Sequence, residues 1–479
     1  MGATAGATME VVNPYDQSVI RTVDDGDRAD AEAAVAAART AFDEGEWPSW
    51  TPRQRAELLH RVGHLLQRDR AEIARLETLD TGKTLTEGGI DVDDVTAVFH
   101  YYGGLAEEDS GRLVDAGDPR VRSRVVHEPV GVCALITPWN YPLLQASWKV
   151  APALAAGNTL VIKPSETTPL TTIKMVELIA EAGAPAGVVN LVLGPGGTAG
   201  AALVESPQVD LVSFTGGLET GRRIMRDAAR TVKNIALELG GKNPNIVFAD
   251  ADFEAAIDYA LMAVFFHAGQ VCSAGTRLIV EESLHDDFVA ALVERAERIR
   301  LGNGLDEDTE SGPLVSAEHR DKVESYVGIA LQEGARLVAG GRRPEEPALQ
   351  NGFFFRPTVF VDCTEDMRIV QEETFGPILT VERFTTEERA IELGNHTEYG
   401  LAGAVWTRDA ARAERVARRL RHGTVWINDF GPYLPGAEWG GFKHSGIGRE
   451  LGLEGLAEYR QAKHIYENTA PEPQRWFTR

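Results

Sequence analysis

Apolar residues recur at three- and four-residue steps from about Asp30 to Leu79, with Leu58, Leu59, Val62, Leu65, Leu66, Ile73 and Leu76 in the repeating positions of a helix. Pro52 stands where a first helical turn would start, a place that needs no backbone N–H. After a Gly- and Asp-rich stretch, Val121–Val132 reads as a strand. Short β-type apolar runs follow at Leu160–Lys163, Val188–Leu193, Leu211–Phe214, Asn245–Phe248 and Arg277–Val280. Helical stretches such as Thr171–Ala182 and Asp252–His267 separate them. Strands alternating with helices predict βαβ units and a mainly parallel sheet. A second series, Thr358–Val361, Ile378–Phe384, Gly403–Trp406 and Thr424–Asn428, predicts a second α/β domain, with the break just after Gly240-Gly241. No internal repeat or low-complexity tract interrupts this order.

A chain of 479 residues is long enough for two or three domains. The 72 acidic against 48 basic residues, a net charge of -24, argue against nucleic acid and anionic membrane as partners. The same surface mildly favours cationic substrates. Three cysteines, Cys133, Cys272 and Cys363, are too few for a secreted disulfide scaffold and predict a reducing cytoplasm. The first 16 residues carry no basic start followed by an apolar run, and Gly6 stands where a myristoylation motif needs Ser or Thr. No stretch approaches the 18 uninterrupted apolar residues that would suggest a membrane span.

Several segments carry candidate chemistry. Gly194-Pro195-Gly196-Gly197-Thr198-Ala199 fits a G-x-G-x-x-G/A dinucleotide turn, and equally one of the many Gly-rich strand-to-helix turns. Phe214-Thr215-Gly216-Gly217 offers a second helix start to a pyrophosphate. Lys163-Pro164-Ser165-Glu166, just past a strand, reads as a ribose clamp whose carboxylate repels the extra phosphate of NADP, or as a loop salt bridge. Cys272 lies among small residues, where a substrate can approach closely, although a lone Cys is usually a buried hydrophobe. Glu238, beside Gly240-Gly241, is a candidate base or a surface charge ahead of a turn. Asn140, between Pro138 and Pro142, is a candidate oxyanion donor or a turn Asn. His60 and His64 have the spacing of two metal ligands but lack the intervening Glu, so no metal is expected. The cluster Arg418, Arg419, Arg421 and His422 reads as a helix C-terminus.

Taken together, Thr137-Pro138-Trp139-Asn140, Lys163-Pro164-Ser165-Glu166, Phe214-Thr215-Gly216, Glu238-Leu239-Gly240-Gly241-Lys242, Gly269-Gln270-Val271-Cys272 and Glu373-Thr374-Phe375-Gly376-Pro377 resemble the signatures of the aldehyde dehydrogenase superfamily, in order and over nearly the whole chain. The resemblance implies an α/β fold: an NAD-binding, Rossmann-like domain (1–118 and 138–241), a catalytic α/β domain (242–450) and an oligomerisation β element (119–137 and 451–479). It implies Cys272 as nucleophile, Glu238 as general base and Asn140 in the oxyanion hole. It also implies NAD held by Ile136, Trp139, Lys163, Glu166, Gly196, Thr215, Gly216, Glu373 and Phe375. Gly194 loses its first reading, because the family does not use the usual glycine turn. Gly217 departs from the Ser that many members carry. A homodimer or homotetramer is implied.

Within the superfamily, His267–Gly275, Trp426–Phe430, Ser445–Glu450 and the ending Arg475-Trp476-Phe477 are similar to bacterial betaine aldehyde dehydrogenases. Tyr141, Trp148 and Trp439, with Tyr433 behind them in weight, are expected to form an aromatic cage for a quaternary ammonium by cation–π attraction. The alternative is a tunnel of plain hydrophobes. Glu438 either adds attraction for the cation or faces solvent, and Lys149 shapes the site. The implied reaction passes through a thiohemiacetal and a thioester to the acid. The competing readings are an ω-aminoaldehyde or general aliphatic aldehyde dehydrogenase, and a silent structural protein on this fold.

Overall fold

The computed structural model describes residues 6–108 and 111–477; Gly2, weighed above against myristoylation, lies outside them. The first sheet is built from β1 (Val132–Ile136), β2 (Thr159–Lys163), β3 (Val189–Leu191), β4 (Leu211–Thr215) and β5 (Asn234–Glu238). They run parallel in the order β5-β4-β1-β2-β3, and Gly446–Ile447 adds an antiparallel edge to β5. The strand order reverses between β4 and β1, which opens a crevice beyond the strand carboxyl ends.

Every residue of β1 is buried because both faces are covered. Cys133 and Leu135 join a core with the helices Pro52–Arg68, Leu85–Glu108, Pro142–Ala156 and Leu170–Glu181. Val132, Ala134 and Ile136 point the other way, into a core with the helix Arg28–Asp43. The alternation of the strand thus divides one apolar run between two cores.

The second sheet holds β6 (Pro244–Val247), β7 (Arg277–Glu281), β8 (Arg336–Ala339), β9 (Thr358–Val361), β10 (Ile378–Phe384), β11 (Ala402–Trp406) and β12 (Thr424–Ile427). Its order is β8-β9-β10-β7-β6-β11-β12, parallel except where β8 meets β9. A third sheet sets Val121–Pro129 between Arg112–Val114 and Arg460–Asn468, all antiparallel. Among the described residues, no helix is long and apolar enough to cross a membrane.

Two differences from the sequence pattern have clear causes. The run Val121–Val132 is not one strand. It breaks at Gly131, whose φ of +132° suits only glycine, and the chain passes from the third sheet into β1. Residues 132–136 therefore sit in the first sheet, not in the outlying β element expected over 119–137. The helical pattern Asp252–His267 ends early, at Phe265, because His267 and Ala268 take left-handed backbone angles.

Candidate active site

Carboxyl ends of the first sheet supply most of the site. Thr137–Asn140 follow β1, Thr215 ends β4, and Glu238–Gly241 end and follow β5. Cys272 comes from the segment between the helix Phe253–Phe265 and β7. A cavity of about 220 Å³ is lined by Trp139, Asn140, Thr215, Gly216, Cys272, Glu373 and Phe375, so the structure brings seven of the expected residues together. Lys163, Glu166, Gly196 and Ile136 lie outside it, along the ends of β1 to β3. Lys163 Nζ donates to the Pro164 carbonyl at 2.8 Å and meets Glu166 Oε2 at 3.4 Å. Gly196 opens an exposed turn. Gly194, by contrast, packs its backbone against Gly26, where a side chain would not fit.

The glycine pair after β5 is required by close approach. A Cβ on Gly240 would run into the Glu373 carboxylate, and one on Gly241 would stand 2.7 Å from the Cys272 carbonyl. The bare backbone lets the Gly241 N–H donate to Glu373 Oε1 at 3.0 Å. The Asn140 side-chain amide donates one N–H to the Gln270 carbonyl at 2.9 Å, which leaves its second donor for another acceptor. Two residues went unnoticed in the sequence. Asn243 Nδ2 donates to the Cys272 and Ala274 carbonyls at 2.8 and 3.0 Å. His319 lies edge-on to Trp139 and Phe375, its Nε2 2.7 Å from the Phe375 carbonyl. Burial lowers the His319 pKa to about 4, so its ring is neutral near pH 7. No local motif announces either residue.

Burial, then the carboxyls of Glu238 and Glu373, raise the Cys272 thiol above its ordinary range. Glu238 is only 4% exposed, so it is no surface charge, and its Oε1 has no hydrogen-bond partner. Burial, then Glu450, push its carboxyl up, while Lys149 opposes them. Lys149 is itself buried, paired with Glu450 and 3.0 Å from Ser213 Oγ.

A second cavity of about 480 Å³ meets the other side of the same segment, touching Val271 and Ser273. Its aromatic walls are Tyr141, Tyr259, Phe266, Phe430 and Tyr433, and Asp91, Asp94 and Asp429 also line it. Trp148 and Trp439 are buried behind Tyr433, at ring-centroid distances of 5.3 and 4.9 Å, and do not line the cavity. One face of Tyr141 is already occupied, with Lys83 Nζ 4.0 Å from its ring centroid. The aromatic cluster is therefore layered, with Tyr433 inside and the two tryptophans supporting it. Glu438 does not line the cavity: its Oε1 accepts the Leu453 N–H at 3.1 Å, at the start of the helix Gly452–Ala457.

The model of the aldehyde dehydrogenase family matches residues 2–465. The chain belongs to the aldehyde dehydrogenase family. It is 62% identical to the betaine aldehyde dehydrogenase of Bacillus subtilis over 98% of this chain and 95% of that one. It is 44% identical to a peroxisomal aminoaldehyde dehydrogenase of Pisum sativum, over 97% and 93% of the two chains. The crystal structure of a Staphylococcus aureus betaine aldehyde dehydrogenase in complex with NAD+ superimposes with a TM-score of 0.99 at 55% identity, covering 100% of this chain and 95% of that one. The fold is thus that of the aldehyde dehydrogenases. Within it, five of the six segments that carry the resemblance converge on one 220 Å³ cavity; the sixth, around Lys163, lies outside it, at the end of β2.

Proposed function

We propose that this aldehyde dehydrogenase oxidises betaine aldehyde to glycine betaine with NAD. The observation that carries the substrate is the larger cavity, where aromatic rings meet Asp94 and Asp429 beside Cys272, Asp91 being already paired with Lys83. A trimethylammonium group is attracted to both, by ring quadrupoles and by full charges.

The crevice fits the cofactor. Glu373 is held by a backbone N–H, and a Cβ at Gly196 or Gly217 would meet nothing within 4 Å, so pyrophosphate has room beside two chain turns. Lys163 and Glu166 would hold the adenosine ribose, Glu373 the nicotinamide ribose, and Trp139 and Phe375 would flank the ring. When bound, NAD supplies the acceptor for the aldehyde hydride. Cys272 attacks the aldehyde carbon, and the Asn140 amide and the Cys272 backbone N–H hold the oxyanion. The half-buried thiol needs a proton acceptor before it attacks, and Glu238, with its unpartnered Oε1, provides one. Once it has released that proton to solvent, the same carboxylate takes one from the water that hydrolyses the thioester.

A second reading, an ω-aminoaldehyde substrate, is favoured by the same aspartates, since its ammonium is also a cation. NADH production from betaine aldehyde, an aminoaldehyde, hexanal and succinic semialdehyde, each with NAD and NADP, tests both. A kcat/KM highest for betaine aldehyde with NAD supports the proposal. Equal values across the aldehydes would reduce the cavity to a greasy tunnel. We further place the protein in the cytoplasm, consistent with three free cysteines. We read it as a homo-oligomer joined through the third sheet, where Leu113 and Tyr466 are 88% and 61% exposed.

A further inference from the structure

The segment before Cys272 is held in a conformation that its own residues disfavour. His267 and Ala268 both sit in the left-handed region, at φ 47° and 52°, and neither is glycine. Such a turn persists only where its surroundings over-determine it. Two buried contacts do so. The His267 N–H donates to Glu87 Oε1 at 2.7 Å, and the His267 ring stands edge-on to Tyr141, the neighbour of Asn140, with 5.6 Å between centroids. The His267 carbonyl in turn accepts the Gln270 backbone and side-chain N–H groups, both at 3.1 Å, and the Gln270 carbonyl receives the Asn140 amide.

Glu87 is 180 residues from His267 in sequence and lines neither cavity. It belongs to the first turn of the helix Leu85–Glu108, where its Oε2 accepts the Thr84 N–H at 2.5 Å while Thr84 Oγ1 accepts the Glu87 N–H at 3.2 Å. This reciprocal cap fixes the carboxyl rotamer. One oxygen then serves the helix and the other serves the turn that leads to the nucleophile.

We infer that Glu87 is a positioning residue for the reaction at Cys272, acting through His267 on both the nucleophile segment and the Asn140 amide. The inference rests on the proposed roles of Cys272 and Asn140. A carboxylate suits the post because it offers two acceptor oxygens; an amide offers one, and cannot accept from Thr84 and His267 together.

The test compares Glu87→Ala and Glu87→Gln with Thr84→Ala, which loosens the same cap but leaves the His267 contact. Glu87→Ala should lower kcat about 10- to 100-fold, the loss expected from a small misplacement of reacting groups. NAD affinity and aldehyde KM should stay within about threefold. Iodoacetamide should alkylate Cys272 more slowly by a factor similar to the kcat loss. Thr84→Ala should lower the melting temperature as Glu87→Ala does while keeping kcat within about twofold. Should Glu87→Ala fail to fold, Glu87→Gln carries the test, with a kcat between wild type and a tenfold loss. Equal kcat losses in the Thr84 and Glu87 variants, or an unchanged kcat and alkylation rate in Glu87→Gln, would overturn the inference. Failure of the functional proposal would look different: wild-type protein would not oxidise aldehydes at all, while the alkylation comparison would still report on Glu87.

Discussion

Tyr433 stands edge-on to Trp439, 4.9 Å between ring centroids and 86° between planes, and only the tyrosine reaches the larger cavity. The rings differ in what they do. Tyr433 lines the cavity, and its hydroxyl is 2.7 Å from Ser273 Oγ, next to Cys272. Trp439 keeps it upright. Tyr433→Ala should raise KM for betaine aldehyde about tenfold, near the upper range of one cation–π contact, and KM for propanal much less. Trp439→Ala should act in the same direction and more weakly. Equal effects on the charged and neutral aldehydes would remove the cation from the explanation.

Asp94 gives the cavity a pH dependence. Burial, then Asp93, raise its carboxyl to about 6. It is ionised above that pH and neutral below it, so attraction for a cationic substrate is present at neutral pH and lost as the pH falls through about 6. KM for betaine aldehyde should therefore climb below pH 6 while KM for a neutral aldehyde stays flat. In Asp94→Asn the two profiles should run parallel. A KM climb that survives the substitution would assign it to another group.

Gly240 is the tightest position in the cofactor crevice. Gly240→Ala puts a methyl group into the Glu373 carboxylate. Displacing that carboxylate removes its charge-assisted bonds to the ribose, so the Kd for NAD should rise about 10- to 100-fold. Calorimetric titration with NAD measures this without turnover. An unchanged Kd would mean that Glu373 does not hold the cofactor.

Glu238 should show its neighbours in the pH–rate profile. The base must be ionised to work, so activity rises with pH through its raised pKa, above the ordinary carboxylate value of about 4.3. Glu450 pushes that pKa up and Lys149 pulls it down. Glu450→Gln should move the acid limb to lower pH, and Lys149→Met should move it higher. Each variant strands one buried charge and should also lose stability, about 3–5 kcal/mol by analogy with other broken buried pairs. Shifts in the same direction would show that Glu238 is not the group being titrated.

The sequence made the first and second sheets legible, because parallel strands buried on both faces read as short apolar runs between helices. It hid β5, whose Asn234 end is exposed, and β8, a four-residue edge strand. The candidate site was legible where it lay in contiguous motifs: Cys272, Glu238 and Asn140 lie near glycines or prolines, and Glu373 entered through the family resemblance. What joins distant positions was not. Lys149 and Glu450 are 301 residues apart, and Asp91 and Asp94 lie on a helix with nothing in their own neighbourhood to aim them at a cavity. The aromatic cluster was legible but its layering was not, since helix spacing puts Trp148 near Tyr141 without saying which ring stands in front.

The two cavities share no lining residue, and they abut along three places in the chain, 140–141, 144–145 and 271–273. On the proposed assignment, nucleotide and aldehyde would each have a chamber of their own beside the sulfur. A lineage can also rebuild one chamber for a new aldehyde without disturbing the other, so that substrate range drifts while the coenzyme stays the same.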